Sequence, residues 1–180
     1  MKVEQCFTSE VFTCRPETDL EWAARSMWEH DCGCLPVVGE RGEVVGMLTD
    51  RDVCMGAFTQ GRTLRELSAG SVMSKAVFAC APDDSLEHAV RVMSDHQVHR
   101  LPVLDADGRL LGILSLNDVV RGIVALPDAR ARTSLTAVFV EGLAAICEPR
   151  RQSPSELEVA PVLSGTAVLA GTSRLATVRA

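Results

Sequence analysis

Residues 11–58 and 77–124 are copies of one another at a fixed offset of 66 residues, with no gap in either copy. Pro16 matches Pro82, Leu35-Pro36-Val37 matches Leu101-Pro102-Val103, and Asp52 matches Asp118. About 19 of the 48 aligned positions are identical, where chance pairing at ordinary composition gives about three. A duplicated unit builds the same elements and surfaces twice, and with them two like sites.

Each copy reads as strand, helix, strand, strand, helix. Leu20, Ala23, Ala24 and Met27 fall at i, i+3, i+4 and i+7, and Leu86, Ala89, Val90 and Met93 repeat that stripe. Thr18 with Glu21, and Asp84 with Glu87, stand in capping-box spacing ahead of the stripes and predict the helix starts. Leu35-Pro36-Val37-Val38 and Val44 to Leu48 follow, joined by Gly39-Glu40-Arg41-Gly42 in the manner of a hairpin. Asp105-Ala106-Asp107-Gly108 joins the same pair in the second copy.

The boundaries expected are a first copy at 5–60, a connecting segment at 61–76 and a second copy at 77–125. Leu64, Leu67, Val72 and Met73 make the connection too apolar for a solvated tether, so the two units are expected to share one core. Leu135, Phe139, Gly142 and Ile146 keep a helical period that predicts a helix over 133–148. From Gln152 to Ala180 the composition turns to Ser, Thr, Ala, Gly and Val. This tail at 152–180 is expected to be largely unstructured, although Val159 to Leu169 has the composition of a strand edge.

Composition narrows the class. A length of 180 residues with 47% hydrophobic and 23% charged residues fits a soluble globular chain. The net charge of −6 and the lack of a cationic cluster argue against a nucleic acid as partner. No apolar run approaches a membrane span and Met1 to Glu10 does not resemble a secretory signal, so the expected compartment is the cytoplasm. Seven irregularly spaced cysteines then read as reduced thiols.

The chemistry lies where each hairpin enters its second helix. Gly46-Met47-Leu48-Thr49-Asp50-Arg51-Asp52 and Gly112-Ile113-Leu114-Ser115-Leu116-Asn117-Asp118 both set a hydroxyl three places before a carboxylate. A Ser or Thr there caps the helix and can still reach a ligand. The free N–H groups of the first turn favour an anion, and the carboxylate can accept both hydroxyls of a ribose. A single T-x-x-D most often does no more than cap; its recurrence at the same place in both copies favours a nucleoside phosphate site.

The stripe, the strand opening in L-P-V, the hairpin and G-x-L-[TS]-x-x-D together resemble the cystathionine beta-synthase (CBS) domain, and the tandem copies resemble a Bateman module over about residues 5 to 125. The resemblance implies an α/β (α+β) fold of two βαββα units about a pseudo-twofold axis. It also implies clefts for an adenosine-containing ligand (AMP, ADP, ATP or S-adenosylmethionine) and association into a homodimer. Carried onto this chain, it implies a stronger cleft built from Ser115, Asp118, His99 and Arg100, with Thr13 and Pro16 from the first unit. A weaker one uses Thr49 and Asp52, where Gly33 and Cys34 replace the two cations and Arg51 is the available substitute.

Cys32-Gly33-Cys34 with His30 supplies only part of a tetrahedral ligand set, and no metal is expected. His30 and His96 fall at corresponding helix ends, where a cation suits the terminal carbonyls. Trp22 lies outside the buried stripe, at a dimer contact or at the edge of the core. No G-x-S-x-G, Walker A, H-E-x-x-H or dinucleotide glycine fingerprint is present, so no enzyme and no required cofactor are expected. Two readings follow: a regulatory module whose ligand changes how a partner protein docks, or a structural dimerisation scaffold with vestigial clefts.

Overall fold

The apolar stripes bury as their spacing dictates. In the computed structural model, which describes residues 1–149, α1 spans Leu20–Glu29 and buries Leu20, Ala23 and Met27. The tail at 152–180 lies outside the described residues. Each helix start falls one residue later than the capping-box spacing predicts. Asp19 caps α1 by accepting from Trp22 N at 2.8 Å. Thr18 instead accepts from Arg15 N at 3.0 Å and closes the preceding turn. In the second copy Ser85 caps its helix by accepting from His88 N at 3.1 Å, while Asp84 accepts from Ala81 N at 2.8 Å. Two short polar residues stand side by side at each start; one closes the Pro-initiated turn and leaves the cap to the next.

The L-P-V strands form hairpins. β1 (Cys34–Val38) pairs antiparallel with β2 (Val44–Thr49), setting Leu35 opposite Leu48. The turn needs Gly42 at φ 84°, a backbone open to glycine and strained for other residues. α2 (Asp50–Gln60) follows directly, and α3 (Ala69–Val72) lies in the connecting segment. The second copy repeats the pattern in α4 (Leu86–Asp95), β3 (Arg100–Leu104), β4 (Leu110–Ser115) and α5 (Leu116–Ala125).

The opening strand expected in each copy is reduced to one parallel bridge, Cys14 to Val37 and Cys80 to Val103. Pro16 and Pro82 stop it, because a proline two residues on has no N–H for a ladder.

The repeat extends further than identity reveals. Thr8 bridges Ile113 and Lys2 bridges Ser85; at the 66-residue offset, Ser74 bridges Met47 and Ser68 bridges Asp19. The N-terminal segment therefore serves the second half, and the connecting segment serves the first. Glu43 bridges Arg109, its own counterpart, in antiparallel sense, as two segments related by a twofold axis do. Gly46 and Gly112 allow these crossings. A Cβ on Gly112 would meet Thr8 O at 2.2 Å, and one on Gly46 would meet Met73 Sδ at 2.5 Å and Ser74 O at 2.9 Å.

Apolar side chains gather in two clusters, one per half, where one shared core was expected. Leu64, Leu67, Val72 and Met73 join the first; Met1, Val3, Cys6 and Phe7 join the second. The division follows from the exchange of segments, since each half receives its own covering piece. α6 (Ala129–Cys147) starts earlier than the apolar period predicts because Asp128 caps it, accepting from Arg130 N at 3.0 Å. It lays Leu135, Phe139, Gly142 and Ile146 on the second half alone. No helix among the described residues is long and apolar enough to cross a membrane.

Candidate ligand-binding site

Both hydroxyl–carboxylate pairs form reciprocal caps. Thr49 N and Oγ1 donate to Asp52 Oδ2 at 2.9 and 2.7 Å, and Asp52 N donates back to Thr49 Oγ1 at 3.2 Å. Ser115 N and Oγ donate to Asp118 Oδ2 at 2.8 and 2.5 Å, and Asp118 N returns a bond of 3.2 Å. The strand delivers the hydroxyl and the first turn of the helix delivers the acid, so the spacing fixes the geometry twice.

The two acids differ in what remains of them. Asp118 is 2% exposed, and its Oδ1 accepts from Thr8 Oγ1 at 3.1 Å and from the Arg121 guanidinium. Asp52 is half-buried, and among the described residues its Oδ1 accepts no hydrogen bond. One carboxylate is fully engaged by its own chain; the other has an oxygen to offer. Thr8 escaped the sequence reading. The signal was the hydroxyl of Ser74 at the repeat offset, outside the stretch where identities are dense.

Arg100 is divided between the halves. Its backbone faces Ser115 across the β3–β4 pair, but its guanidinium reaches the first half. A Cβ on Gly33 would lie 3.1 Å from Arg100 Nη2 and 3.3 Å from Asp50 Oδ2. A cation thus stands at the strand entrance of the first half, where Gly33 and Cys34 supply none, beside the start of α2. His99 is exposed, and its carbonyl accepts from Leu116 N at 3.1 Å. Arg51 is exposed on the first turn of α2, its N–H donating to Asp50 Oδ1 at 2.7 Å.

Thr13 shares the lining of its cleft with neither Ser115 nor Asp118. It lines a cleft of about 370 Å³ between the halves with Val38 and Gly42 on one side and Arg109 and Leu111 on the other. Pro16 is held by the connecting segment, its carbonyl accepting from Gly70 N at 2.9 Å.

Four of the thiols are chemically quiet. Burial pushes Cys14 and Cys34 up to about 11 and Cys80 up to about 12. Cys6 also rises to about 11, by burial first and the Asp118 charge second. Such thiols stay protonated at neutral pH, which suits packing and disfavours nucleophilic attack or metal ligation. Among the described residues no group of three or more His, Cys, Asp or Glu is placed to hold a metal. His30 Nδ1 lies 2.8 Å from Ser26 O, and its ring sits 3.4 Å from that of Phe12. His96 stacks on Phe78 at 3.6 Å, whereas the His30 and Phe12 rings are tilted by 31°. Both histidines finish their helix ends, as the repeat predicts.

Known proteins agree with this architecture. The family model for the CBS domain matches residues 3–56 and 69–125, and the two starts share the 66-residue offset of the exchanged segments. CBS domain-containing protein YhcV of Bacillus subtilis is 38% identical over 136 residues, covering 76% of this chain and 94% of that protein. The crystal structure of CBSX2 in complex with AMP is similar at TM-score 0.60 and 28% identity, covering 68% of this chain and 96% of that one. The CBS domain pair of protein MJ0100, solved with 5′-methylthioadenosine and S-adenosyl-L-methionine, is similar at TM-score 0.61 and 25% identity, with 67% and 98% covered. With two matched copies and two like folds in tandem, this chain belongs to the CBS domain family as a domain pair.

Proposed function

We propose that the chain is a regulatory module without turnover of its own, which binds an adenosine-containing small molecule and thereby changes how a partner protein docks. The observation that carries the reading is the doubled hydroxyl–carboxylate cap at the starts of α2 and α5. AMP in CBSX2, and 5′-methylthioadenosine with S-adenosylmethionine in the MJ0100 pair, give the ligand class. AMP, ADP, ATP and S-adenosylmethionine share the ribose that such a carboxylate recognises.

The halves do not offer the ligand the same terms. At Thr49 and Asp52, the open Oδ1 accepts ribose hydroxyls without loss of an existing bond, and Arg100 and Arg51 supply positive charge for a phosphate. At Ser115 and Asp118, a ribose must displace Thr8 or Arg121 first. His99, exposed at the entrance of β3, is then the cation left to that second, later site. The first-half site is therefore the one a ligand fills first.

Calorimetry with AMP, ATP and S-adenosylmethionine tests the reading. The expected result is saturable heat with at least one of them, lost in Asp52→Ala and kept in Asp118→Ala. Absence of heat with all three, in a protein that also shows no rise in melting temperature at millimolar ligand, overturns it.

A further inference from the structure

The clearest departure from internal symmetry is α6. It seats its C-terminal half on the second repeat, with Gly142 against Val90 and Ser94 and with Gln97 Nε2 donating to Ala145 O at 3.1 Å and Glu148 O at 3.0 Å. Beneath it lie Met93 and Val119, buried in the same cluster as Ile146. At the 66-residue offset, Val90, Ser94 and Gln97 become Ala24, Trp28 and Asp31, while Met93 and Val119 become Met27 and Val53. All five of these first-half residues line one open groove of about 330 Å³. The first half thus carries the same seat as the second, and no described residue of the chain fills it.

The two seats differ in charge. Where the second half has Gln97, bonded to α6, and the apolar Leu116, the open groove presents Asp31 and Asp50. Among the described residues Asp31 accepts no hydrogen bond, and the Arg100 guanidinium, behind Gly33, makes no ion pair with Asp31 or Asp50. Trp28 stands 88% exposed at the rim, a face suited to an aliphatic stem or a cation. A second copy presenting the same groove would set these carboxylates against each other. The chain's own α6 is discouraged too, since its terminal carbonyls, which now accept from Gln97, would face the Asp31 carboxylate and lose their donor.

We infer that the α1–α2 groove is a docking seat for an amphipathic helix of a partner protein, laid as α6 lies on α4 and α5 and carrying Lys or Arg toward Asp31, Asp50 and Trp28. Ala24 in place of Val90 leaves room for a side chain where α6 needs Gly142. The inference goes beyond the ligand reading and does not rest on it, because the groove is complete without nucleotide.

The test uses the full chain without nucleotide, carrying Trp22→Phe so that Trp28 alone emits. The probe is a synthetic peptide of residues 129–148 with Glu141→Lys and Glu148→Lys. The expected result is a saturable blue shift of the Trp28 emission. Affinity should fall about tenfold for the peptide with its native glutamates, and about tenfold again in protein carrying Asp31→Asn with Asp50→Asn. Asparagine tolerates the positive φ of 49° at Asp31, so that variant keeps its fold. No saturable shift, or equal affinity for both peptides, overturns the inference. So does self-association abolished by Trp28→Glu, which would assign the groove to a second copy, or tighter peptide binding after truncation following Pro149, which would assign it to the tail. Failure here leaves the calorimetric test of the ligand standing.

Discussion

Thr8 Oγ1 donates to the buried Asp118, whereas Ser74, its counterpart by the repeat, donates to Ala76 O at 3.3 Å and leaves Asp52 alone. One hydroxyl, with the Arg121 guanidinium that has only Met55 as counterpart, thus separates two sites that the motif makes look alike. Thr8→Val removes a donor from a buried carboxylate and is expected to lower stability by about 1–3 kcal/mol, read as a lower midpoint in urea. The same change frees one of the two acceptor positions on Asp118 Oδ1, the Arg121 guanidinium keeping the other, so a second calorimetric binding event is expected beside the first. An unchanged midpoint and unchanged stoichiometry would show that Thr8 does not hold the site. The motif pairs were legible in the sequence because caps are local, three residues from donor to acceptor. Thr8 and the guanidinium of Arg100 were not, since both act on residues that only the exchange of segments brings near.

α6 gives the second half a cover that the first lacks. Leu135 is 1% exposed within the second cluster. Leu135→Ala is expected to cost about 2–5 kcal/mol by loss of buried methyl groups and the cavity they leave. Guanidinium unfolding followed by circular dichroism measures it, and a change below the range of a surface substitution would mean that α6 is not part of the folded unit. The helices and hairpins were readable because periods of 3.6 and 2 repeat within a few residues of chain. The opening strands were not, because Pro16 and Pro82 cut them to a single bridge each that only partner strands reveal. The caps missed by one residue for a related reason. Thr18 and Asp19, like Asp84 and Ser85, are equally good caps by type, and the geometry of the preceding turn chooses between them.

The internal twofold also repeats what the molecule leaves bare. Phe58 on α2 and Val124 on α5 are counterparts, 79% and 70% exposed, and each has a partly exposed apolar neighbour in Met55 or Val120. Two such faces on one chain are expected to be covered by a second copy, since isolated proteins seldom leave paired large apolar side chains in water. This face is distinct from the α1–α2 groove. Phe58 follows Val53, which lines that groove, by about 140° around the helix. Self-association and the proposed partner docking are therefore expected to be compatible, since they call on opposite sides of α2. Sedimentation velocity of the full chain is expected to show a dimer that Phe58→Glu with Val124→Glu converts to monomer. Trp28→Ser, which installs the residue of the equivalent position in the second copy, is expected to leave the dimer intact while removing the response to the cationic peptide. A monomeric wild-type chain would refute the dimer. A dimer lost with Trp28→Ser would merge the two faces into one and give the groove to the second subunit.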